Sequence, residues 1–298
     1  MAGSTQSPSQ AAPRRSRFSL SFGLWRMPYS VSLSAAFLIL MLLVALFAPL
    51  IAPFHYEDTN LLLRLKPPSF LGGPEAHLLG TDDLGRDVLS RLIYAIRISI
   101  MVALLGTAIG AVLGTLLGFV AAHSRGWSEE VIMMMVDWQA AMPFLIIALA
   151  VLAFFGNSLL LFLLLMGIAG WETYARLTRG LVLAAKEQPY AIAARSFGAR
   201  PLRVYGRHIL PNIVSALIVQ VTLNFPDTIL LETSLSFLGL GIQPPLTSLG
   251  LMLGSGRDYL LFARWMTVFP GAVIFLTTLS MSIVGDWARD KLDPTIQD

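Results

Sequence analysis

The sequence predicts an all-α, polytopic membrane protein with six transmembrane helices, and three observations predict it. Of its 298 residues, 55% are hydrophobic and only 13% charged, about half the charged share, ~25%, of an ordinary soluble domain. Mean hydropathy is +0.70. Apolar runs of about 20 residues recur, the length that crosses a hydrocarbon core of ~30 Å at 1.5 Å per residue. The short alternating segments of a membrane β-barrel do not occur.

The spans fall near Val31–Ala52, Ile98–Ala122, Val131–Phe155, Ser158–Tyr174, Ile213–Leu235 and Trp265–Gly285. They divide the chain into an N-terminal tail (1–30), a first span with its outer loop (31–97), a core (98–287) holding a basic loop (175–212), and a C-terminal tail (288–298). Residues 1–17 contain Arg14, Arg15 and Arg17. The apolar run that follows is too long for a signal h-region, so the tail reads as an uncleaved cytoplasmic segment rather than an export signal. With the N-terminus inside, 14 of the 21 lysines and arginines lie on the cytoplasmic side, which gives both termini a cytoplasmic placement. The net charge of +3 serves orientation rather than nucleic-acid binding. Trp25, Tyr29, Trp127, Trp171, Tyr174, Trp265 and Trp287 fall near span ends and are expected as interfacial anchors.

In the outer loop, Gly80 is expected to turn the chain, and a Thr or Asp to cap a helix that runs into the second span. Arg86, Arg91 and Arg97 would form a basic stripe on an exposed surface helix. The second span carries Gly106, Gly110, Gly114 and Gly118. Four glycines at every fourth position open one side of a helix to close approach by another, in this chain or in a second subunit. Met142–Pro143 should break the third span. Met133, Met134 and Met135 are adjacent, point in different directions on a helix, and read as packing or lipid-facing residues rather than a metal site. Asp137 is a rare charge in that span.

The most informative stretch is Pro189 to Asn212, with Arg195, Arg200, Arg203, Arg207 and His208 and no acid. It is too polar to cross a bilayer. Tyr190 to Phe197 reads as a short helix ended by Gly198 at positive φ. Pro201 opens a second short helix, and Pro211 starts the next span. A basic helix–turn–helix on the cytoplasmic face is a surface for a cytoplasmic partner. In the fifth span Pro226 is expected to bend or break the helix. Asp227 and Glu232 are acids at membrane depth, which face a cavity or a partner. They either line or gate a path, or pair with polar backbone near the outer surface.

No G-x-x-x-x-G-K-[ST], H-E-x-x-H or G-x-S-x-G occurs, there is no cysteine, and the four histidines are dispersed. No nucleophile and base stand at plausible spacing, so no catalytic or metal-ligating residue is assigned, and an intramembrane enzyme is disfavoured. A secondary transporter would show paired repeats and more mid-membrane carboxylates.

Ala193, Ala194, Gly198, Leu210 and Pro211 stand at the spacing of the cytoplasmic loop motif of ABC importer permeases, which this segment resembles. Ile192 occupies the family's glutamate position, so the polar contacts of that glutamate are not assumed. Leu79, Gly80, Thr81, Asp82, Leu84, Gly85, Arg86, Asp87, Ser90 and Arg91 resemble a string of the C-type permease subunit of dipeptide and oligopeptide importers. So do LETSLSFLGLGIQPP and the closing Gly285, Asp286, Arg289, Asp290, Leu292, Asp293 and Pro294.

The resemblance implies a type I importer permease fold in a bacterial inner membrane. It implies a heterodimer with a second permease subunit, surrounded by membrane lipid, and an extracytoplasmic substrate-binding protein. Two cytoplasmic ATPase subunits would hold ATP and Mg, and this chain no cofactor. Tyr190, Ala193, Ala194, Arg195, Gly198, Leu210 and Pro211 would form the ATPase-coupling loop, and Pro226, Asp227 and Glu232 the path or gate. Dipeptides and oligopeptides are the implied cargo, with nickel chelates, glutathione or another small solute carried by similar relatives.

Overall fold

The computed structural model describes residues 27–124 and 126–292. Arg14, Arg15, Arg17, Trp25, Arg26, Arg125, Asp293 and Pro294 lie outside the described residues. Eleven α-helices are described: α1 (Tyr29–Ile51), α2 (Val88–Ser124), α3 (Trp127–Ala141), α4 (Phe144–Phe155), α5 (Leu159–Ile168), α6 (Trp171–Lys186), α7 (Pro189–Ser196), α8 (Pro201–Val204), α9 (Leu210–Phe237), α10 (Leu249–Gly256) and α11 (Trp265–Leu292). By length and composition five helical segments can cross a membrane, or six when α3 and α4 count as one span, bent by 90° at the Met142–Pro143 break.

Three expected boundaries move. The second span begins at Val88, so a division at 97/98 cuts a continuous helix. The fourth span does not end at Tyr174. It breaks at Ala169–Gly170, where Gly170 has φ +81°, and resumes as the amphipathic α6. Hydropathy misses this helix because its mean is close to neutral while its buried face (Tyr174, Ala175, Thr178, Val182) is regular. The sixth span continues to Leu292.

Pro226 does not break the fifth span: α9 runs through it. A proline removes one hydrogen bond of the helix ladder, and neighbours on both sides can hold the rest in register. Here Phe225, Pro226, Thr228 and Ile229 are all buried. α9 packs between α2 and α11, with Phe225 and Ile229 in one cluster with Ala103, Ile274 and Met266.

The glycine stripe of α2 meets α5 and α6 of the same chain. A β-carbon at Gly114 would lie 2.2 Å from the Trp171 carbonyl oxygen, and one at Gly118 2.6 Å from that of Ala175. Gly106 and Gly110 abut Met166 and Gly167 in the same way. The backbones therefore approach to a separation that no other residue permits.

The outer-loop motif is a buried clamp rather than an exposed charged helix. Asp82 accepts from the amides of Leu84 (2.8 Å) and Arg86 (2.9 Å), from Arg86 Nε (2.7 Å) and from the Arg91 guanidinium. Arg91 is 5% exposed, which corrects its place on a solvated stripe. A desolvated arginine is tolerable because its carboxylate partner is also buried and fully engaged. Asp87 caps α2 through the Ser90 amide (2.7 Å) and pairs with His77 (2.9 Å). Trp265 donates to the Thr81 carbonyl (3.0 Å), tying the clamp to α11.

Tyr29 and Trp127 are exposed as interfacial residues would be, but Trp171 and Tyr174 are buried. Trp171 Nε1 donates to Gln139 Oε1 (2.7 Å), and Gln139 donates to the Ile168 carbonyl (2.8 Å). This polar knot satisfies the free carbonyl at the α5–α6 break.

The stripe predicts a sharp contrast. Gly114→Leu should lower the melting temperature of the purified complex or prevent its accumulation, since overpacking costs about 1–3 kcal/mol or more. Gly180→Ala, whose added β-carbon meets nothing within 4 Å, should be neutral or slightly stabilising.

Candidate functional site

Two features separate from the packed bundle: a basic helix–turn–helix at one end and a polar face along the spans. The helix–turn–helix is built as the local sequence demands. Pro189 and Pro201 stand in the first turns of α7 and α8, where a missing amide costs nothing. Gly198 takes φ +75° between them. A π-turn, Tyr205–Ile209, then leads into α9, with Leu210 and Pro211 in its first turn. The run Pro201–Phe237 is thus one continuous helical rod.

The loop rests on the bundle by one side only. Ala191, Val204 and Ile209 are buried, and Val204 and Ile209 cluster with Ala122, Val182 and Ile213, with Ala194 packed against them. Lys186 donates to the Ala122 carbonyl and Arg195 to the Lys186 carbonyl. His123 and Tyr205 pair at 2.8 Å. Beside α8 a groove of about 760 Å³, walled by Leu116, Phe119, Leu202 and Leu210, separates it from α2. The outward surface of α7 is bare: Phe197 is 90% exposed, and Ile192 and Tyr190 are also exposed. Ala193, Arg195 and Gly198 share that exposure. Ile192 therefore adds apolar surface where a glutamate would add charge.

The polar face is revealed by what each helix exposes along its middle. On α1, α2 and α11 the exposed side chains there are mostly apolar, such as Leu43, Leu105, Val112, Phe275 and Leu279, with Ser282 of α11 an exception. On α3, α6 and α9 they include Asp137, Thr173, Arg176, Asp227 and Ser234. Asp137 and Arg176 pair at 3.0 Å, and Glu129 and Arg179 at 2.6 Å further along. On α9, Gln220, Asn224 and Asp227 follow the i, i+4, i+7 register of one stripe. Asn224 meets α6 at Gly170, where a β-carbon would lie 2.8 Å from its Nδ2. Asp227 has no hydrogen-bond or ion-pair partner among the described residues.

Pro226, Asp227 and Glu232 thus part company. Pro226 is buried and Asp227 exposed. Glu232 is 0% exposed. It accepts from Ser99 Oγ of α2 (3.1 Å) and Ser236 Oγ (2.8 Å). Ser99 Oγ in turn accepts from the Leu249 amide of α10 (3.1 Å). Glu232 joins three helices.

Sequence reasoning missed Thr173, Arg176, Asn224, Ser99 and Ser236. The α9 stripe carried a signal in its seven-residue register. The serines carried none, because their pairing crosses 133 positions of sequence in the case of Ser99–Glu232.

Glu232→Ala should strand the Ser99 and Ser236 hydroxyls and destabilise the protein by about 1–3 kcal/mol. Glu232→Gln should cost less. Thermal unfolding of both variants measures the difference.

Residues 110–298 match the family described as binding-protein-dependent transport system inner membrane component. Residues 32–68 match the N-terminal transmembrane domain of oligopeptide transport permease C. The chain is 41% identical over 262 residues to the di/tripeptide transport system permease protein DppC of Pseudomonas aeruginosa, covering 88% of this chain and 86% of that one. It is 35% identical over 260 residues to the oligopeptide transport system permease protein OppC of Bacillus subtilis, covering 87% and 84%. The MetNI methionine ABC transporter in an inward-facing conformation shares the fold, with a TM-score of 0.55 at 17% identity over 69% of this chain and 97% of that one. The chain belongs to the family of binding-protein-dependent inner-membrane transport permeases, as a multi-pass transport subunit.

Proposed function

We propose that this chain forms one half of the translocation path of an ATP-binding cassette importer for dipeptides and oligopeptides. A second permease subunit supplies the other half. Two cytoplasmic ATPase subunits, holding ATP and Mg, engage the loop at Tyr190, Ala193, Ala194, Arg195 and Gly198. An external binding protein delivers the peptide. Both termini and the basic loop face the cytoplasm, in keeping with the distribution of Lys and Arg.

The observation that carries the reading is the set of polar groups exposed on α3, α6 and α9. A helix bundle exposed to lipid on all sides has no use for an unpaired carboxylate such as Asp227 at its surface, because charged groups in hydrocarbon are costly. Such a group is stable only against water or another polar wall. In this reading the exposed polar groups line one wall of the path, and a second chain completes it. The peptide cargo rests on the relatives, which are di/tripeptide and oligopeptide permeases.

The loop supplies the drive. Force on α7 passes through its buried Ala191 and half-buried Ala194 into the cluster around Val204 and Ile209. From there it enters the rod at Leu210 and Pro211. Because the helix is unbroken at Pro226, the rod moves as a body instead of opening at a kink. The π-turn at Tyr205–Ile209 is its compliant joint, since π-turns interrupt the regular ladder. Alternating access requires two arrangements of such packed elements.

Gly198→Pro, which cannot adopt the positive φ, and Ala194→Asp, which places a charge against the loop cluster, should abolish ATP-dependent peptide uptake. Membrane insertion should be normal for both. Normal uptake in membrane vesicles carrying either variant contradicts the coupling role.

A further inference from the structure

We propose that Asp227 is the point at which the path meets a positively charged group of its cargo, the protonated amino terminus of a peptide; this rests on the polar face being half of that path. Depth is the first argument. Thr228, next to Asp227, is hydrogen-bonded at 3.1 Å to Thr107. Thr107 lies 19 residues from the first residue of α2 and 17 from its last, roughly 28 and 25 Å at 1.5 Å per residue. Asp227 therefore stands level with the middle of α2, the helix that crosses the whole bundle.

Electrostatics is the second argument. The chain's other acids at comparable positions are answered: Glu232 by serine hydroxyls and Asp137 by Arg176. Asp227 is exposed and has no donor among the described residues. A carboxylate there faces a cavity or an opposite charge, and no cation among the described residues pairs with it. The bonding capacity around it is polar yet uncharged: Asn224 one turn away with its Nδ2 buried and unpartnered, Gln220 beyond it, and Ser234 two turns the other way.

Cargo chemistry is the third. Every peptide with a free amino terminus carries an ammonium group whatever its side chains. One fixed carboxylate beside amide and hydroxyl groups gives a contact common to all of them and selects none by side chain. In a hydrated path such a contact is weak enough to release its cargo, which conduction requires.

The chain has no cysteine, so the test can be made on the assembled complex in proteoliposomes, with ATPase subunits, second permease and binding protein present. Ser234→Cys first tests the path: a charged methanethiosulfonate reagent should modify it during turnover, and excess dialanine should protect it. No modification in any nucleotide state means that the face is not a path. Asp227→Asn and Asp227→Glu then test the contact, with radiolabelled dialanine as cargo. The asparagine variant should lower the maximal uptake rate by about tenfold or more with KM unchanged, since capture precedes the path. Its binding-protein-stimulated ATP hydrolysis should persist, and the glutamate variant should recover most of the uptake. Uptake by Asp227→Asn at the wild-type rate, with Ser234→Cys still modified, overturns the contact and leaves the path standing. Failure of the Asp227→Asn complex to assemble, read by size-exclusion chromatography, also overturns it, because Asp227 would then answer a cation of the second permease.

Discussion

Hydrocarbon offers no hydrogen bonds, so each polar group in this bundle has to find a partner, a wall or water. That constraint orders the whole structure. Where a partner exists, the group becomes a fastener. Glu232 binds α2, α9 and α10 through two serines. Gln139 closes the α5–α6 break together with Trp171. Asp82 and Arg91 lock the loop that leads into α2. Where no partner exists, the group marks a surface that lipid cannot cover. Asp227 and Thr173 are of the second kind, and both are exposed.

Close backbone packing supplies the rigidity that the polar groups do not. Four glycines bring α2 against α5 and α6 with almost no side chain between them. The same α2 holds α9 through Thr107–Thr228 and Ser99–Glu232. The central helix thus carries the fixed wall on one flank and the rod on the other. In the proposed drive a push at α7 reaches the rod, which is continuous from Pro201 to Phe237. Its compliant point is the π-turn, next to the groove that leaves α8 without support on that side.

Much of this was legible in the sequence where local chemistry decides. Gly198, Pro189, Pro201 and Pro211 fix a helix–turn–helix by φ alone, and the structure has it. The break at Met142–Pro143 follows from proline in the same way. Pro226 shows the limit of that reasoning, because its helix, packed on both sides, continues through it unbroken. The burial of Arg91 was illegible for a related reason. A run of mixed charge looks solvated until the fold turns Asp82 inward to meet it. The continuation of α6 was hidden by its balanced composition, and the polar face by its dispersal over three helices far apart in sequence. Whether Asp227 and Glu232 share a role could not be read from their spacing, because five positions along a helix point them to nearly opposite sides: one is exposed and the other sealed.

The central claim is that residues 189–212 carry force from a nucleotide-hydrolysing partner into the rod. Phe197, 90% exposed at the end of α7, is the place to test it. With Phe197→Cys as the sole thiol of this subunit, a short bifunctional crosslinker should join it to an ATPase subunit in inverted membrane vesicles, and the yield should change when ATP is bound. Absence of any crosslink in both nucleotide states, or modification of that thiol by an impermeant reagent added outside intact cells, would contradict the account.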